Sequence, residues 1–297
     1  MSQVFFSVII PSYNSAETVS KSIHSVLQQS FAGVEIIVVD DGSTDGTKEI
    51  VQGFGNKCRY LKQNNSGPSA ARNYGASVAT GRYFVFLDAD DWLSEKYLAH
   101  FYQLFLNTPA ELGLGFIRYQ DQSGKTVQLI QASKNTRTFS YGMPGSFVLS
   151  RDVFNALNGY DVNLWYSENS DLFLRVEIDY RIDVHKVLTT PEAGVCKPMF
   201  DRAQRNRRYS KKKYESVAYF IEKHRQYLAT RPGYFSILQR ILALGAMENR
   251  EPAKARKVMS EVVARNPLSV KDYLRYFLFW VPPLARFYYK TQWLIRK

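Results

Sequence analysis

Apolar and β-branched stretches near the start of the chain stop abruptly at polar residues, in FSVIIPSYN (Phe6 to Asn14), VVDDGSTDGT (Val38 to Thr47) and FLDADD (Phe86 to Asp91), with PSAARNYG (Pro68 to Gly75) between the last two. Between them the period changes to that of a helix. Val19, Ile23, Val26 and Leu27 recur at helical spacing after a candidate cap at Ser15, and Thr47, Ile50, Val51 and Phe54 do so after Ser43 or Thr44. The predicted order is strand to Ile10, helix to about Ser30, strand Glu35 to Val39, helix, strand Arg59 to Lys62, helix from Pro68 to Gly81, and strand Tyr83 to Leu87. Such alternation predicts a doubly wound α/β sheet whose parallel strands end in one crevice, the place where open sheets bind ligands.

Beyond Asp91 the alternation becomes irregular. Ser94 is a candidate cap for a helix from Glu95 to about Leu106, and Phe116 to Ile130 reads as a hairpin around Gln122-Ser123-Gly124. Ser150 and Gly159 bracket a short helix, Asp171 to Ile178 suits another, and Arg181 to Leu188 suits a strand holding a structural His185. No Gly/Ser/Pro-rich linker separates these from the first half, so one domain is expected over residues 1–210, with halves of about 1–110 and 111–210. Residues 211–297 read as helices: Tyr214 to Leu228, Tyr234 to Met247, Pro252 to Ala264 and Ser269 to Trp280. The stretch Ala246 to Pro267 resembles one tetratricopeptide-type unit, but no second copy follows at a fixed period, so a helical hairpin is expected.

Composition adds an asymmetry. Residues 1–196 hold 16 Lys+Arg against 20 Asp+Glu, and residues 197–297 hold 23 against 7. A basic region favours nucleic acid, anionic lipid or phosphorylated ligands. No helix-turn-helix, zinc-finger or RNA-recognition signature accompanies it, so no nucleic-acid partner is expected. Tyr273 to Tyr289 is densely aromatic, yet Arg275, Pro282, Pro283 and Arg286 interrupt it, which suits lying on an anionic membrane surface rather than crossing it. Val4 to Ile10 lacks a preceding basic segment and is broken by Pro11, as in a strand rather than a signal peptide. Cys58 and Cys196 form no metal or disulfide pattern, which suits a reducing cytosol.

The candidate chemistry lies at the strand ends. In Asp88-Ala89-Asp90 the carboxylates at i and i+2 point the same way from an extended backbone and suit a hard divalent cation, Mg²⁺ or Mn²⁺, or else cap a local turn. Asp40 and Asp41 end the second strand, where a carboxylate accepts from a ribose hydroxyl or a base imide, or merely from turn N–H groups. Arg72 would offset charge among these acids, reach a phosphate, or sit on the surface as a plain arginine. Trp92, Trp165 and Tyr166 are candidates for stacking on sugars or for packing.

In order and spacing these segments resemble the family 2 glycosyltransferases of the GT-A fold, densely from Phe6 to Trp92 and more thinly from Met143 to Val176. The resemblance implies a mixed sheet with a Rossmann-like nucleotide half, an acceptor half and, here, a helical C-terminal extension. It implies that Pro11, Tyr13, Asn14, Asp41 and Arg72 bind the nucleotide of a nucleoside-diphosphate sugar, with uridine the expected base. It further implies that Asp88 and Asp90 bind Mn²⁺ or Mg²⁺, with Asp88 also near the nucleotide, and that Asp91 borders the sugar. The expected activity is metal-dependent, inverting transfer to a glycan or lipid-linked acceptor in surface polysaccharide synthesis, at the inner face of the plasma membrane.

The family's base usually comes from a Glu-Asp pair, and here the matching stretch is Ser167-Glu168-Asn169-Ser170-Asp171, so an amide replaces the second acid. An amide is no general base, which leaves Glu168 first and Asp171 second, the latter also suiting a helix N-terminus. That replacement keeps open a non-catalytic, nucleotide-sugar-binding scaffold. The basic run Lys197 to Lys213 is read either as a lid whose Arg202, Arg205, Arg207 or Arg208 closes on a diphosphate or as a solvated loop near lipid.

Overall fold

Strand β1 (Phe6–Ser12) is buried on both faces, which is why its sequence is a continuous apolar run and not an alternation. In the computed structural model, which describes residues 4–108, 110–131, 143–199, 211–265, 269–281 and 283, β1 lies inside a nine-stranded mixed sheet. It pairs in parallel with β2 (Val34–Asp40) and β4 (Tyr83–Phe86), and β2 pairs in parallel with β3 (Arg59–Lys62). The order is β3-β2-β1-β4-β8-β6-β9-β5, with β7 (Thr126–Ile130) paired to β6 (Leu112–Gln120) off that path. Beyond β4 the direction reverses at β8 (Phe147–Ser150) and again at β6, and β9 (Val187–Pro198) runs parallel to β6 before pairing antiparallel with β5 (Trp92–Leu93).

Successive side chains of β1 serve different layers. Phe6, Val8 and Ile10 pack with Val19, Ile23 and Val26 of α1 (Val19–Leu27) and with Tyr97, Leu98 and Phe101 of α4 (Tyr97–Asn107). Ile9 packs on the opposite face in a cluster with Phe84, Phe86, Phe154 of α5 (Arg151–Ala156) and Leu172 and Val176 of α6 (Glu168–Ile178). At about 1.5–3 kcal/mol per buried large apolar side chain, these layers hold the strand ends in place. α2 (Thr47–Gln52) and α3 (Pro68–Val78) complete the first half.

Several ends differ from expectation for local reasons. Ser43 and Thr44 do not cap α2; Gly46 precedes it, and their polar groups bond Asn14 instead. Ser94 does not cap α4, because its hydroxyl accepts from Gly194 N at 3.1 Å. α3 ends at Val78, before Gly81. Ser150 does cap α5, accepting from Val153 N. β8 was not foreseen, and β6 begins at Leu112 rather than Phe116. The expected strand from Arg181 starts later, at Val187, because the Asp183 side chain accepts from His185 N and winds a short turn over Val184–Lys186. His185 is exposed there.

β9 changes register partway along β6. Leu114 faces Thr189, yet Phe116 faces Gly194, so the strand takes up extra residues between the two pairings. The backbones then approach so closely that a Cβ on Gly115 would lie 2.1 Å from Ala193 O, and one on Gly194 2.1 Å from Phe116 O. Only glycine fits either position.

The chain divides into two units, Met1–Asn163 with Glu168–Asp201, and Leu164–Ser167 with Arg202–Lys297. The second contains α7 (Lys211–Lys223), α8 (Arg225–Ala229), α9 (Pro232–Glu248), α10 (Pro252–Arg265) and α11 (Val270–Leu278). His224 separates α7 and α8 where one helix was expected. α9 and α10 bury Leu238, Leu242, Ala246, Val258, Met259 and Val262, and Arg240 of α9 binds the fully buried Asp272 of α11.

Candidate active site

The loops leaving β1 and β2 are stitched together. Asn14, in the left-handed region at φ 47°, donates its N–H to Ser43 Oγ at 2.9 Å and accepts Thr44 N–H on its side-chain oxygen at 2.9 Å. Ser15 N donates to Thr47 Oγ1 and Ala16 N to Asp45. Pro11 is the penultimate residue of β1, and Tyr13, the first residue beyond the strand, is 51% exposed.

Both acids that end β2 are buried. Asp40 accepts from Ser43 N at 2.7 Å and Tyr60 Oη at 2.6 Å; burial alone would raise its pKa, but these bonds outweigh it and lower it. Asp41 accepts from Gln63 Nε2, Ser66 N and Gly67 N, all within 2.8 Å. It thereby fixes the turn into α3, where Gly67 takes φ 92° before Pro68 starts the helix. One lone pair of Asp41 Oδ2 remains beyond those three bonds.

Arg72 is buried rather than on the surface, at 2% exposure, because the inner face of α3 is otherwise small, with Ser69, Ala71 and Gly75 bringing the helix close to the sheet. Its Nη2 donates to Asp88 Oδ1 at 2.7 Å and its Nη1 to Glu168 Oε1 at 3.1 Å, while the guanidinium carbon stands 5.3 Å from the Tyr160 ring centroid. Nε has no partner. One arginine therefore bridges the Asp-x-Asp segment and the first residue of α6.

Glu168 enters α6 directly after Ser167, which takes φ 66° to turn the chain. Its Oε1 also accepts Asn169 Nδ2 at 2.8 Å, and Asn169 Oδ1 accepts Tyr160 Oη at 3.0 Å. The amide donates to Glu168 where a second acid would repel it. Burial raises the Glu168 pKa, Arg72 opposes the rise and Asp88 adds to it. Asp171 is elsewhere: fully buried, it accepts from Arg175 Nε at 2.7 Å, and Arg175 also donates to Leu157 O and Gly159 O. That geometry makes Asp171 a fold-holding ion pair, with no surface at the crevice.

Asp88, Asp90 and Asp91 bring carboxylate oxygens within 4.8 Å of one another. Lys197, delivered by β9 and buried, bonds the buried Asp91 and stands 3.8 Å from Asp88 Oδ2. Burial alone would lower the Lys197 pKa, but Asp88 and Asp91 outweigh it and raise it. Burial pushes Asp91 well up, against Lys197, and Asp90 is raised by desolvation and by Asp88. Asp90 is exposed and has no ion pair among the described residues. Three hard oxygen donors with one free carboxylate fit a hard divalent cation. With every acid ionised, Glu168 and the three aspartates set against Arg72 and Lys197 would leave two unbalanced negative charges, the complement of such an ion.

Sequence reasoning did not single out Tyr160, and it put Lys197 at the head of a lid or solvated loop, whereas the residue is buried near the end of β9. The signal for Lys197 was a lone cation ending the small, apolar run Ala193-Gly194-Val195-Cys196, which has no solvated face. Trp92 carries Lys21 Nζ 3.0 Å above its ring centroid. Arg202, Arg205, Arg207 and Arg208 lie outside the described residues.

Comparison with known proteins agrees with this geometry. The model of Glycosyl transferase family 2 matches residues 7–160. Glycosyltransferase GlyA of Streptococcus pneumoniae is 37% identical over 111 residues, 36% of this chain and 16% of that protein. The putative teichuronic acid biosynthesis glycosyltransferase TuaG of Bacillus subtilis is 46% identical over 96 residues, 30% of this chain and 38% of that protein. The chain thus spans well under two thirds of these relatives' length. S. aureus TarS superposes with a TM-score of 0.61 at 18% identity, over 95% of this chain and 52% of that one. A shorter TarS in complex with UDP-GlcNAc superposes at 0.60 and 19%, over 91% of this chain and 75% of that one. The expected GT-A architecture with a helical C-terminal region is borne out by that likeness. With its matched segment covering more than half of its length and carrying the crevice from β1 through Tyr160, the chain belongs to glycosyl transferase family 2.

Proposed function

We propose that the chain is a metal-dependent, inverting glycosyltransferase that moves a sugar from a UDP-sugar to a glycan or lipid-linked acceptor in surface-polymer synthesis. The observation that carries this reading is the bridge from Asp88 through Arg72 to Glu168, which joins a candidate cation site to a candidate base across one crevice. Asp88 and Asp90 would hold Mn²⁺ or Mg²⁺, which supplies positive charge to a departing diphosphate. Pro11, Tyr13, Asn14 and Asp41 would hold the nucleotide, Tyr13 offering its exposed face and Asp41 Oδ2 its remaining lone pair. Asp91, fixed by Lys197, would border the sugar.

Glu168 takes the proton of the acceptor hydroxyl as that oxygen attacks the anomeric carbon from the side opposite the diphosphate, which inverts the configuration. Arg72 and the Asn169 amide hold the Glu168 carboxyl in place, and Arg72 opposes part of the rise in its pKa that burial causes. The UDP-GlcNAc complex of TarS and the teichuronic acid role in the name of TuaG support the donor and polymer classes. No described helix is long and apolar enough to cross a membrane, which is compatible with peripheral attachment at its inner face. The test is titration of UDP and UDP-GlcNAc with Mn²⁺, with EDTA, and into Asp88→Asn/Asp90→Asn. Metal-dependent binding lost in the variant supports the reading. No binding under any condition refutes the UDP-sugar donor, and binding without turnover against any acceptor favours a scaffold.

A further inference from the structure

Helix α11 is amphipathic the wrong way round. Its buried position is an aspartate, Asp272, with no exposure, bound by Arg240 and Arg275. The row facing solvent is apolar: Val270 is 71% exposed, Leu274 58%, Phe277 63% and Trp280 58%. Tyr273 and Val281 widen the same row. In a water-facing helix the polar side is outermost, so a contiguous aromatic and aliphatic stripe held outward marks a contact surface. Phe279 is fully buried and, with the Arg240–Asp272 pair, pins the helix so that the stripe cannot simply roll inward.

We infer that this face docks on an anionic lipid surface. Charge selects that occupant. Exposed Lys271 stands on the helix itself, and the Arg256 guanidinium lies 4.8 Å from the Trp280 ring centroid at the end of the row. From residue 269 to 297 the sequence has six Lys+Arg and one acidic residue, the internally neutralised Asp272. Indole and phenol groups flanked by cations are the side chains that settle at the headgroup boundary, with apolar area entering the acyl edge and each cation attracted to anionic headgroups. The inference deepens the proposed function by naming the surface that would bring the enzyme to a lipid-linked acceptor, and it rests on that reading only for this purpose.

The test is flotation of the full chain with phosphatidylcholine vesicles and with vesicles containing phosphatidylglycerol, alongside UDP titration and sedimentation. The expected result is binding to the anionic vesicles that salt weakens, and a loss of about tenfold or more in Leu274→Glu/Phe277→Glu. Both residues are exposed, so the variant should keep its melting temperature and its UDP affinity. Equal binding by the variant, or no vesicle binding by the wild type, overturns the inference. So does a dimer that dissociates in the variant without any lipid effect, which would assign the face to a second copy. Vesicle binding without UDP binding would instead refute the donor reading and leave the docking surface standing.

Discussion

Replacing Asn169 by Asp restores the acid pair usual in the family, and the geometry makes it harmful here. Asn169 Nδ2 donates to Glu168 Oε1 at 2.8 Å, while its Oδ1 accepts from Tyr160 at 3.0 Å. A carboxylate keeps the bond from Tyr160 but replaces the donor with an acceptor facing Glu168. Two unit charges about 4 Å apart repel by about 4 kcal/mol at an effective permittivity near 20. The Glu168 pKa is already raised by burial, and Arg72 offsets only part of that. The new charge raises it further, so the base is ionised only at higher pH. With Arg72 and rotation of the new group absorbing part of the repulsion, kcat/KM at pH 7 should fall about tenfold to a hundredfold, at 1.4 kcal/mol per tenfold. The loss should shrink as pH rises, because the acid limb of the profile moves upward. UDP release from the donor across pH 5.5–9.5 measures it. An unmoved acid limb, or an equal loss at every pH, refutes the reasoning.

Glu168→Gln removes the proposed base, so kcat should fall about 10²–10⁴-fold with UDP affinity unchanged; single-turnover rates and calorimetry check the two together. Lys197→Met leaves Asp91 buried without its cation, costing about 3–5 kcal/mol of stability. Since a bound divalent ion replaces part of that charge, Mn²⁺ should raise the variant's melting temperature more than the wild type's, and equal shifts would refute this. Glu35 Oε1 accepts from Ser7 Oγ at 2.6 Å, Thr80 N at 2.5 Å, Thr80 Oγ1 at 2.8 Å and Gly81 N at 3.1 Å. Burial alone would raise its pKa, but these donors lower it, so its stabilisation is present above the unfolded value and is lost as pH falls through the folded one. Glu35→Gln should therefore cost about 1 kcal/mol at pH 7 and nothing in acid once the folded carboxyl is protonated, read from urea melts across the acid range.

The sheet's first half was legible because β1, β2 and β4 are largely buried on both faces and its helices on one, which imprints continuous runs and a helical period on the sequence. Arg59 to Lys62 matches β3 residue for residue. The second half was not, because β8 and β5 are four and two residues long and take their partners from distant segments. In the crevice, Asp88, Asp90 and Arg72 stood out as acids and a base among small or apolar neighbours. What no local pattern could give is which acid meets which cation. Glu168 and Asp171 are three positions apart on one helix, yet one meets Arg72 in the crevice and the other Arg175 in the core. Lys197 reaches Asp91 from 106 residues away.

The change of register along β9 separates what comes before it from what comes after. Val187 to Thr189 are aligned by the start of β6, whereas Gly194 to Pro198 are aligned anew by the glycine contact and by β5. Thr190 to Ala193 lie between these two alignments, with Pro191 and Glu192 exposed. Residues gained or lost there would be taken up before the second alignment begins, leaving Lys197 in place beside Asp91. That exposed segment is thereby free to diversify in length among descendants of this chain while the charge balance in the crevice is inherited unchanged.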